Sequence, residues 1–269
     1  MNLSYIHWNT DPEIINIFGL SIRYYGLFFA GGLILCTYIL GWIYKRENIP
    51  SEHLDKLTTY CTIGIVVGAR LGHCLFYEPA YYLSNPLEIL KIWQGGLASH
   101  GGVLGLLIAM YIYSRKTKHS MIDIADLVTV VAGLAFAFIR LGNFMNSEII
   151  GMPTTKPWGV IFERVDSIPR HPAQLYEAIS YFIIFAVLMI LYKKRRERLK
   201  NGFFFGLGSV LFFTARLMIE FIKEDQVGFE EGMILNMGQL LSIPFILIGI
   251  GFMVYGLRRS KKSSAHNIV

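Results

Sequence analysis

Long blocks of apolar residues constrain this chain more than any other feature of its sequence. A helix needs about 20 mostly apolar residues to cross the hydrocarbon core of a bilayer. Seven blocks reach or approach that length, and only 16% of the 269 residues are charged. We therefore predict an all-α integral membrane protein, a polytopic bundle of about seven transmembrane helices, over residues 24–44, 57–77, 97–114, 122–142, 172–192, 202–222 and 235–257.

The basic residues indicate which side of the membrane each connection faces. Clusters of Lys and Arg fall on alternate connections, at 45–56, 115–118, 193–200 and 258–262. Because cytoplasmic connections carry such an excess, we expect the N-terminus outside and the C-terminus in the cytoplasm. The net charge of +6 then reflects topology, and no nucleic acid is expected as a partner. Residues 1–13 lack the basic start of a cleaved signal peptide, so the first block should remain in the mature protein.

Three arginines lie inside the apolar blocks, where a charged side chain is costly and marks a functional candidate. Arg70, Arg140 and Arg216 each follow the expected cytoplasmic start of their span by 14 residues, which corresponds to about 21 Å of helix. His100 is expected at a similar height on a span of opposite direction, and Tyr25 near the outer edge. Five helices are thus predicted to bring these side chains to one layer in the outer half of the membrane.

Each of these residues also has a structural explanation. Arg216 and Glu220 are four positions apart and could form an ion pair that fixes the bundle. Arg70 could extend its guanidinium to the membrane surface instead of contacting a ligand. Tyr25 could belong to the aromatic residues of the interface. A lone histidine is usually structural, but the glycines around His100 permit close approach, which favours a general base.

The residues that follow Arg140 favour a phosphate ligand. Asn143, Asn146 and Ser147 lie three, six and seven positions further along, and Glu148 comes next. Amides at a helix end can simply satisfy backbone groups, but amides beside a guanidinium also suit a phosphate with a hydroxylated head group. An anion at this depth is most naturally a phospholipid head group. Buried arginines would stabilise a phosphate as it departs.

We therefore expect transfer of a group from a phospholipid, with two other functions left open. A transporter of phospholipids or anionic solutes could use the arginines as a transient site, but we find neither internal repeats nor polar groups at the midplane. A structural scaffold would tolerate apolar residues in place of the arginines. No motif indicates a metal ion or a cofactor. The three cysteines lie in apolar stretches typical of packing residues, at Cys36, Cys61 and Cys74.

Several short runs resemble the bacterial prolipoprotein diacylglyceryl transferases, and they follow that family's order along nearly the whole chain. They are residues 24–26 (YYG), 100–102 (HGG), 140–151 (RLGNFMNSEIIG), 157–162 (PWGVIF) and 170–177 (RHPAQLYE), with Arg216 and Glu220. The resemblance implies a multi-pass enzyme of the bacterial inner membrane that uses phosphatidylglycerol and a prolipoprotein signal peptide with its lipobox cysteine. The diacylglyceryl group would move to the cysteine thiol, so that a thioether forms and glycerol phosphate is released.

The resemblance also implies catalytic roles for four matching residues. Arg140 and Arg216 would hold the phosphate, and Glu220 would orient Arg216. His100 would assist deprotonation of the substrate thiol. Lys223 stands where the family often has an arginine, so the charge is kept without the bidentate fork.

The remaining site residues are predicted to contact the lipid substrate. The resemblance assigns most of them to the head-group site or to the border of the lipid, and Arg70 is added because of its predicted depth in the membrane. The full set is Tyr25, Arg70, Asn143, Asn146, Glu148 and Gly151. Membrane lipids are the other expected partners. We expect one transmembrane catalytic domain over residues 1–269, with 143–171 as a periplasmic connection that forms a small cap.

Overall fold

The computed structural model describes residues 5–17, 20–92, 95–199, 202–224 and 233–266. The eight α-helices in these ranges are α1 Tyr24–Arg46, α2 Ser51–Phe76, α3 Pro79–Ser84, α4 Ser99–Thr117, α5 Met121–Asn146, α6 Ala173–Arg195, α7 Phe203–Glu220 and α8 Met237–His266. The five short strands there are β1 Ile6–Trp8, β2 Glu13–Ile17, β3 Leu20–Arg23, β4 Val160–Phe162 and β5 Pro169–Arg170.

Each of the seven predicted spans is a helix in the structure. Among the described residues, six helices are long and apolar enough to cross a membrane, namely α1, α2, α5, α6, α7 and α8. The protein is therefore an all-α polytopic membrane protein. Helix α4 corresponds to the predicted span 97–114, but it begins with a polar, glycine-rich turn and ends with Arg115 and Lys116 in its last turn. The count of seven spans thus stays a prediction.

Residues 37–125 form one compact unit, in which α2 packs closely against α4. Glycines occupy the facing positions, with Gly64 and Gly68 on α2 and Gly101 and Gly105 on α4. A Cβ atom at Gly68 would collide with the carbonyl oxygen of Gly101, and one at Gly105 with the carbonyl oxygen of Gly64. Small residues at this spacing let the backbones of two helices touch in a membrane.

The second unit comprises residues 1–36 and 126–269, and buried Asp126 ties its helices together. The Asp126 carboxylate accepts hydrogen bonds from the backbone N–H groups of Gly202 (3.0 Å) and Phe205 (2.8 Å) at the start of α7. It also lies 3.4 Å from Nη1 of Arg196, just after α6. A carboxylate at a helix N-terminus satisfies N–H groups that have no partner within the helix. The start of α7 is therefore fixed against α5.

A small β-structure forms the cap in this second unit. Strand β1 pairs in parallel with β4, β4 pairs antiparallel with β5, and β2 and β3 form a separate antiparallel hairpin just before α1. The connection predicted over residues 143–171 begins later, because α5 continues to Asn146, and it contains β4 and β5. Buried and partly buried apolar side chains form the core of the cap: Trp8, Phe144, Ile150, Val160 and Phe162.

The backbone contact between α2 and α4 predicts a strong effect of a single methyl group. Gly68→Ala should lower the free energy of unfolding by about 1–3 kcal/mol, because the added Cβ has no room. Gly251→Ala in α8 is the matched control, since a Cβ there meets no atom within 4 Å. Thermal unfolding in detergent compares the two variants. A Gly68→Ala variant as stable as the wild-type protein would contradict the close packing of α2 against α4.

Candidate functional site

The guanidinium of Arg140 is the centre of a buried polar cluster in the second unit. Its Nε lies 2.8 Å from Oε2 of Glu177 on α6, and its Nη1 donates a hydrogen bond of 3.0 Å to Oδ1 of Asn143. The Arg140 side chain is only 15% exposed. Sequence reasoning predicted the amide neighbour, whereas it did not predict the carboxylate that holds Arg140.

The end of α5 and the turn after it form a chain of amides around Glu148. Its carboxylate accepts hydrogen bonds from Asn143 Nδ2 (2.7 Å) and Asn146 Nδ2 (3.2 Å), and its carbonyl oxygen accepts one from Gln174 Nε2 (2.7 Å). Ser147 lies in the left-handed backbone region with φ 56°, where non-glycine residues are uncommon and often mark functional turns. The predicted residues Asn143, Asn146 and Glu148 are thus brought together with Arg140.

Several buried polar atoms of this region have no hydrogen-bond partner in the described part of the chain. They are Asn146 Oδ1, Ser147 Oγ, Gln174 Oε1, Arg216 Nε and Glu177 Oε2, of which the last is ion-paired with Arg140 Nε. Buried polar groups in proteins are nearly always paired, so unpaired ones call for a ligand or water.

Glu177 is the main functional candidate that the sequence analysis missed. It is fully buried, and besides Arg140 it contacts Tyr181, whose hydroxyl donates to Oε1 at 3.4 Å, and Lys223, whose Nζ lies 3.9 Å from Oε1. Its signal was present in the sequence, because an ionisable residue in the apolar block 172–192 meets the same criterion as the three arginines.

Glu220 pairs with Lys223 rather than with Arg216. Lys223 Nζ donates a hydrogen bond of 3.0 Å to Glu220 Oε2, and both residues are buried. In the part of the chain that the structure describes, no ion pair joins Arg216 to Glu220, which was one reading of their spacing. The close approach of α8 limits Glu220 further, because a Cβ at Gly238 would lie 2.5 Å from its carboxyl carbon.

Arg216 therefore contributes charge without a compensating carboxylate among the described residues. Both Arg140 and Arg216 act electrostatically on the hydroxyl of Tyr181, and Glu220 acts on Arg140, so these groups belong to one cluster. The cluster holds three cations (Arg140, Arg216 and Lys223) and three carboxylates (Glu177, Glu220 and the more exposed Glu148). Arg216 is the cation that no described carboxylate pairs with, and a bound anion would balance its charge.

Tyr25 borders this cluster from the first turn of α1. A Cβ at Gly142 of α5 would lie 2.8 Å from the Tyr25 ring, so ring and helix are in direct contact. The Tyr25 hydroxyl interacts electrostatically with Glu148 and Arg140. The structure thus places Tyr25 beside Arg140 and Glu148, and its contact with lipid stays a prediction.

Gly151 lies where three backbone segments meet. Its N–H donates to the carbonyl oxygen of His171 (2.9 Å), and it forms a β-bridge with Lys223. A Cβ at Gly151 would lie 2.5 Å from the His171 carbonyl oxygen and 2.9 Å from that of Ile222. The glycine thus allows the segment that contains Lys223 to approach the cap.

A hydrogen-bonded row of side chains joins the connection before α6 to the first turn of α6. Trp158 Nε1 donates to Tyr176 Oη (2.8 Å), which lies 3.1 Å from His171 Nδ1. Burial, and then the positive charge of Lys156, lower the pKa of His171. The hydrogen bond between His171 Nδ1 and the Tyr176 hydroxyl takes its direction from the His171 tautomer.

Arg70 and His100 belong to the other unit, residues 37–125, and are described within it. Arg70 is 3% exposed and bonded to backbone carbonyl oxygens, which differs from the predicted contact with lipid. His100 is exposed in the first turn of α4. Their predicted roles at the lipid and at the thiol stay predictions.

These features define a polytopic membrane protein with a buried cluster of arginine, lysine and carboxylate side chains. Among the described residues, no group of three or more His, Cys, Asp or Glu side chains is arranged to hold a metal ion.

The comparisons with known proteins identify the family. A family model for prolipoprotein diacylglyceryl transferase matches residues 12–255. The phosphatidylglycerol–prolipoprotein diacylglyceryl transferase of Bacteroides fragilis is 51% identical over 270 residues, which cover 96% of this chain and 98% of that protein. The proteins of the same name from Tolumonas auensis and Porphyromonas gingivalis are 47% and 45% identical, and cover 96% and 95% of the chain and 100% and 96% of their own length. The chain belongs to the prolipoprotein diacylglyceryl transferase family.

The buried contacts of Glu177 predict that its neutral isostere will be destabilising. Glu177→Gln should lower the free energy of unfolding by about 3–5 kcal/mol, because Arg140 and Lys223 lose the carboxylate between them. Glu163→Gln is the matched control, since Glu163 pairs with His7 at the exposed surface of the cap. Thermal unfolding in detergent measures both variants. Equal melting temperatures for the two would show that Glu177 does not hold the cluster together.

Proposed function

We propose that this protein transfers the diacylglyceryl group of phosphatidylglycerol to the lipobox cysteine of a prolipoprotein. One observation carries the proposal: the buried Nε of Arg216 has no hydrogen-bond partner, and no carboxylate pairs with this arginine among the described residues. Phosphatidylglycerol is an anionic lipid, so its phosphate can pair with this guanidinium. The relatives named for this reaction supply its chemical class.

The reaction increases negative charge at the phosphate, which explains why several cations are needed. The cysteine sulfur attacks the glyceryl carbon that bears the phosphate ester. A carbon–sulfur bond forms, the carbon–oxygen bond breaks, and its electron pair leaves with glycerol phosphate. The phosphate thereby changes from a singly charged diester to a monoester with a second developing charge. Arg140 and Arg216 bind the transition state more strongly than the substrate, which is the condition for catalysis.

The amide region suits the glycerol of the head group. Asn146 Oδ1 can accept a hydrogen bond from a hydroxyl, and Ser147 Oγ can donate or accept one, and both atoms are buried without a partner among the described residues. Glu148 and Asn143 hold Asn146 and Arg140 in place through their hydrogen bonds. A head group without hydroxyls leaves these atoms unpaired, so selectivity for phosphatidylglycerol follows.

His100 is the proposed acceptor of the thiol proton. Its exposed imidazole follows Ser99 at the start of α4 and precedes two glycines, so a peptide backbone can approach it closely. Proton removal produces the thiolate, which is the nucleophilic form of cysteine.

The protein is a multi-pass protein of the bacterial inner membrane. We propose that its N-terminus lies in the periplasm. The last turns of α1, α4 and α6 are basic, with Lys45 and Arg46, Arg115 and Lys116, and Lys193–Arg195. These ends face the cytoplasm by the positive-inside rule. Arg140 and Asn146, near the other end of α5, then lie towards the periplasm, where a prolipoprotein cysteine arrives.

Reconstitution tests the proposal directly. Purified protein in phosphatidylglycerol vesicles should convert a lipobox peptide to a thioether-linked diacylglyceryl peptide, with one glycerol phosphate released per peptide. Vesicles of phosphatidylethanolamine should give much less product. Mass spectrometry detects the modified peptide. Lipid movement without any modified peptide would favour a transporter instead.

Loss of the uncompensated arginine should reduce turnover strongly. Arg216→Met should lower kcat/KM by about 10²–10³-fold, because one donor to the developing charge is removed. Arg164→Met is the matched control, since Arg164 is exposed in the cap. The peptide assay compares both variants at equal folded protein. An unchanged rate for Arg216→Met would exclude Arg216 from the reaction.

A further inference from the structure

We propose that Arg70 is a positioning residue that fixes the first turn of α4 and thereby the location of His100. The inference rests on the proposed function, in which His100 accepts the thiol proton. It assigns to Arg70 a role different from contact with the lipid phosphate.

The guanidinium of Arg70 is almost fully used by the backbone of its own unit. Its Nε donates to the carbonyl oxygen of Ile89 (2.9 Å) and its Nη2 to that of Glu88 (2.6 Å). Its Nη1 donates to the carbonyl oxygens of Gly95 (2.7 Å) and Gly96 (3.2 Å). Four of the five N–H groups of an arginine are therefore occupied.

Little of Arg70 remains accessible to a ligand. The residue is 3% exposed, and its guanidinium carbon lies 5.0 Å from the centre of the Tyr82 ring. A phosphate would have to displace at least one backbone carbonyl oxygen to gain the bidentate contact that an arginine normally offers. The geometry instead joins α2 to the chain segment that precedes α4.

The backbone at Gly95 and Gly96, which leads to α4, is tightly constrained. Gly95 and Gly96 have φ values of +93° and +71°, which favour glycine. A Cβ at Gly96 would lie 2.7 Å from Arg70 Nη1, so the turn is closed against the guanidinium. The N–H of Ala98 then donates to the carbonyl oxygen of Ala69 (2.9 Å). Helix α4 begins one residue later, at Ser99.

His100 depends on this backbone for its position. Its imidazole is exposed, and no side-chain hydrogen bond holds it among the described residues. The placement of the ring therefore follows from the placement of the first turn of α4. A displacement of about 1 Å at a reacting group can cost about 10²-fold in rate.

The two roles for Arg70 predict different kinetics. A positioning residue acts through His100, so its effect on kcat disappears when His100 is already replaced, whereas the loss of a phosphate ligand adds to the loss of His100. Lysine would retain part of a phosphate contact as a point charge, but it cannot reproduce the planar fork that binds carbonyl oxygens on both sides.

Hydrogen exchange tests the positioning role without any activity measurement. In Arg70→Met, and in Arg70→Lys as the variant that keeps the charge, the amides of residues 95–102 should exchange faster than in the wild-type protein. The amides of α7 should be unchanged. Arg115→Met is the matched control, because Arg115 is exposed in the last turn of α4. Wild-type exchange at residues 95–102 in both Arg70 variants would overturn the proposal.

Kinetics in phosphatidylglycerol vesicles then link Arg70 to His100. Arg70→Lys should lower kcat by about 10²-fold with an unchanged KM for the lipid. In a His100→Gln background, the same substitution should cause no further loss. A further loss in the His100→Gln background, or a raised KM with kcat retained, would instead identify Arg70 as a lipid ligand. Absence of product with the wild-type protein would refute the proposed function, while hydrogen exchange would still decide whether Arg70 holds the turn.

Discussion

A carboxylate removed from solvent and shared between two cations organises the interior of the second unit. Glu177 of α6 holds Arg140 of α5 and lies close to Lys223, which follows α7. Removing charges from water is costly, and the cost is recovered only when partners are close and well oriented. The interaction that joins three helices is therefore also the one that orients the cationic site, so folding and site geometry depend on the same contacts.

The charge of the cluster explains how one site can bind a lipid and promote its cleavage. Arg140 and Lys223 are paired with buried carboxylates, whereas Arg216 has no carboxylate partner among the described residues, in a medium where charges are poorly screened. A singly charged phosphate diester balances the charge of Arg216, and the second charge that develops during cleavage strengthens the attraction. Because Arg140 and Lys223 are already held by Glu177 and Glu220, little reorganisation is required when the reaction occurs.

The sequence predicts the centres of the spans and the local part of the site well. The prediction is less accurate at helix ends: α2 begins at Ser51 rather than at 57, because its first turn is polar and no apolar pattern marks it. The cap strands have only two to five residues, too few for a clear alternation. Arg140 and Asn143 were predicted to be neighbours because they are one helical turn apart.

Contacts between distant segments could not be predicted in the same way. Glu220 can reach either Arg216 or Lys223 by helical spacing, and only the end of α7 decides that Lys223 is its partner. The partners of Arg70 are backbone carbonyl oxygens, which carry no residue-specific signal in a sequence. Glu177 was detectable as a charge in an apolar block, but its partners come from α5 and from the chain after α7.

The uncompensated guanidinium of Arg216 should bind an anionic lipid, and native mass spectrometry tests this binding most directly. The wild-type protein should retain phosphatidylglycerol in preference to phosphatidylethanolamine when both are supplied in equal amounts, and Arg216→Met should lose that preference. Equal retention of the two lipids by the wild-type protein, or an unchanged preference in Arg216→Met, would contradict the account.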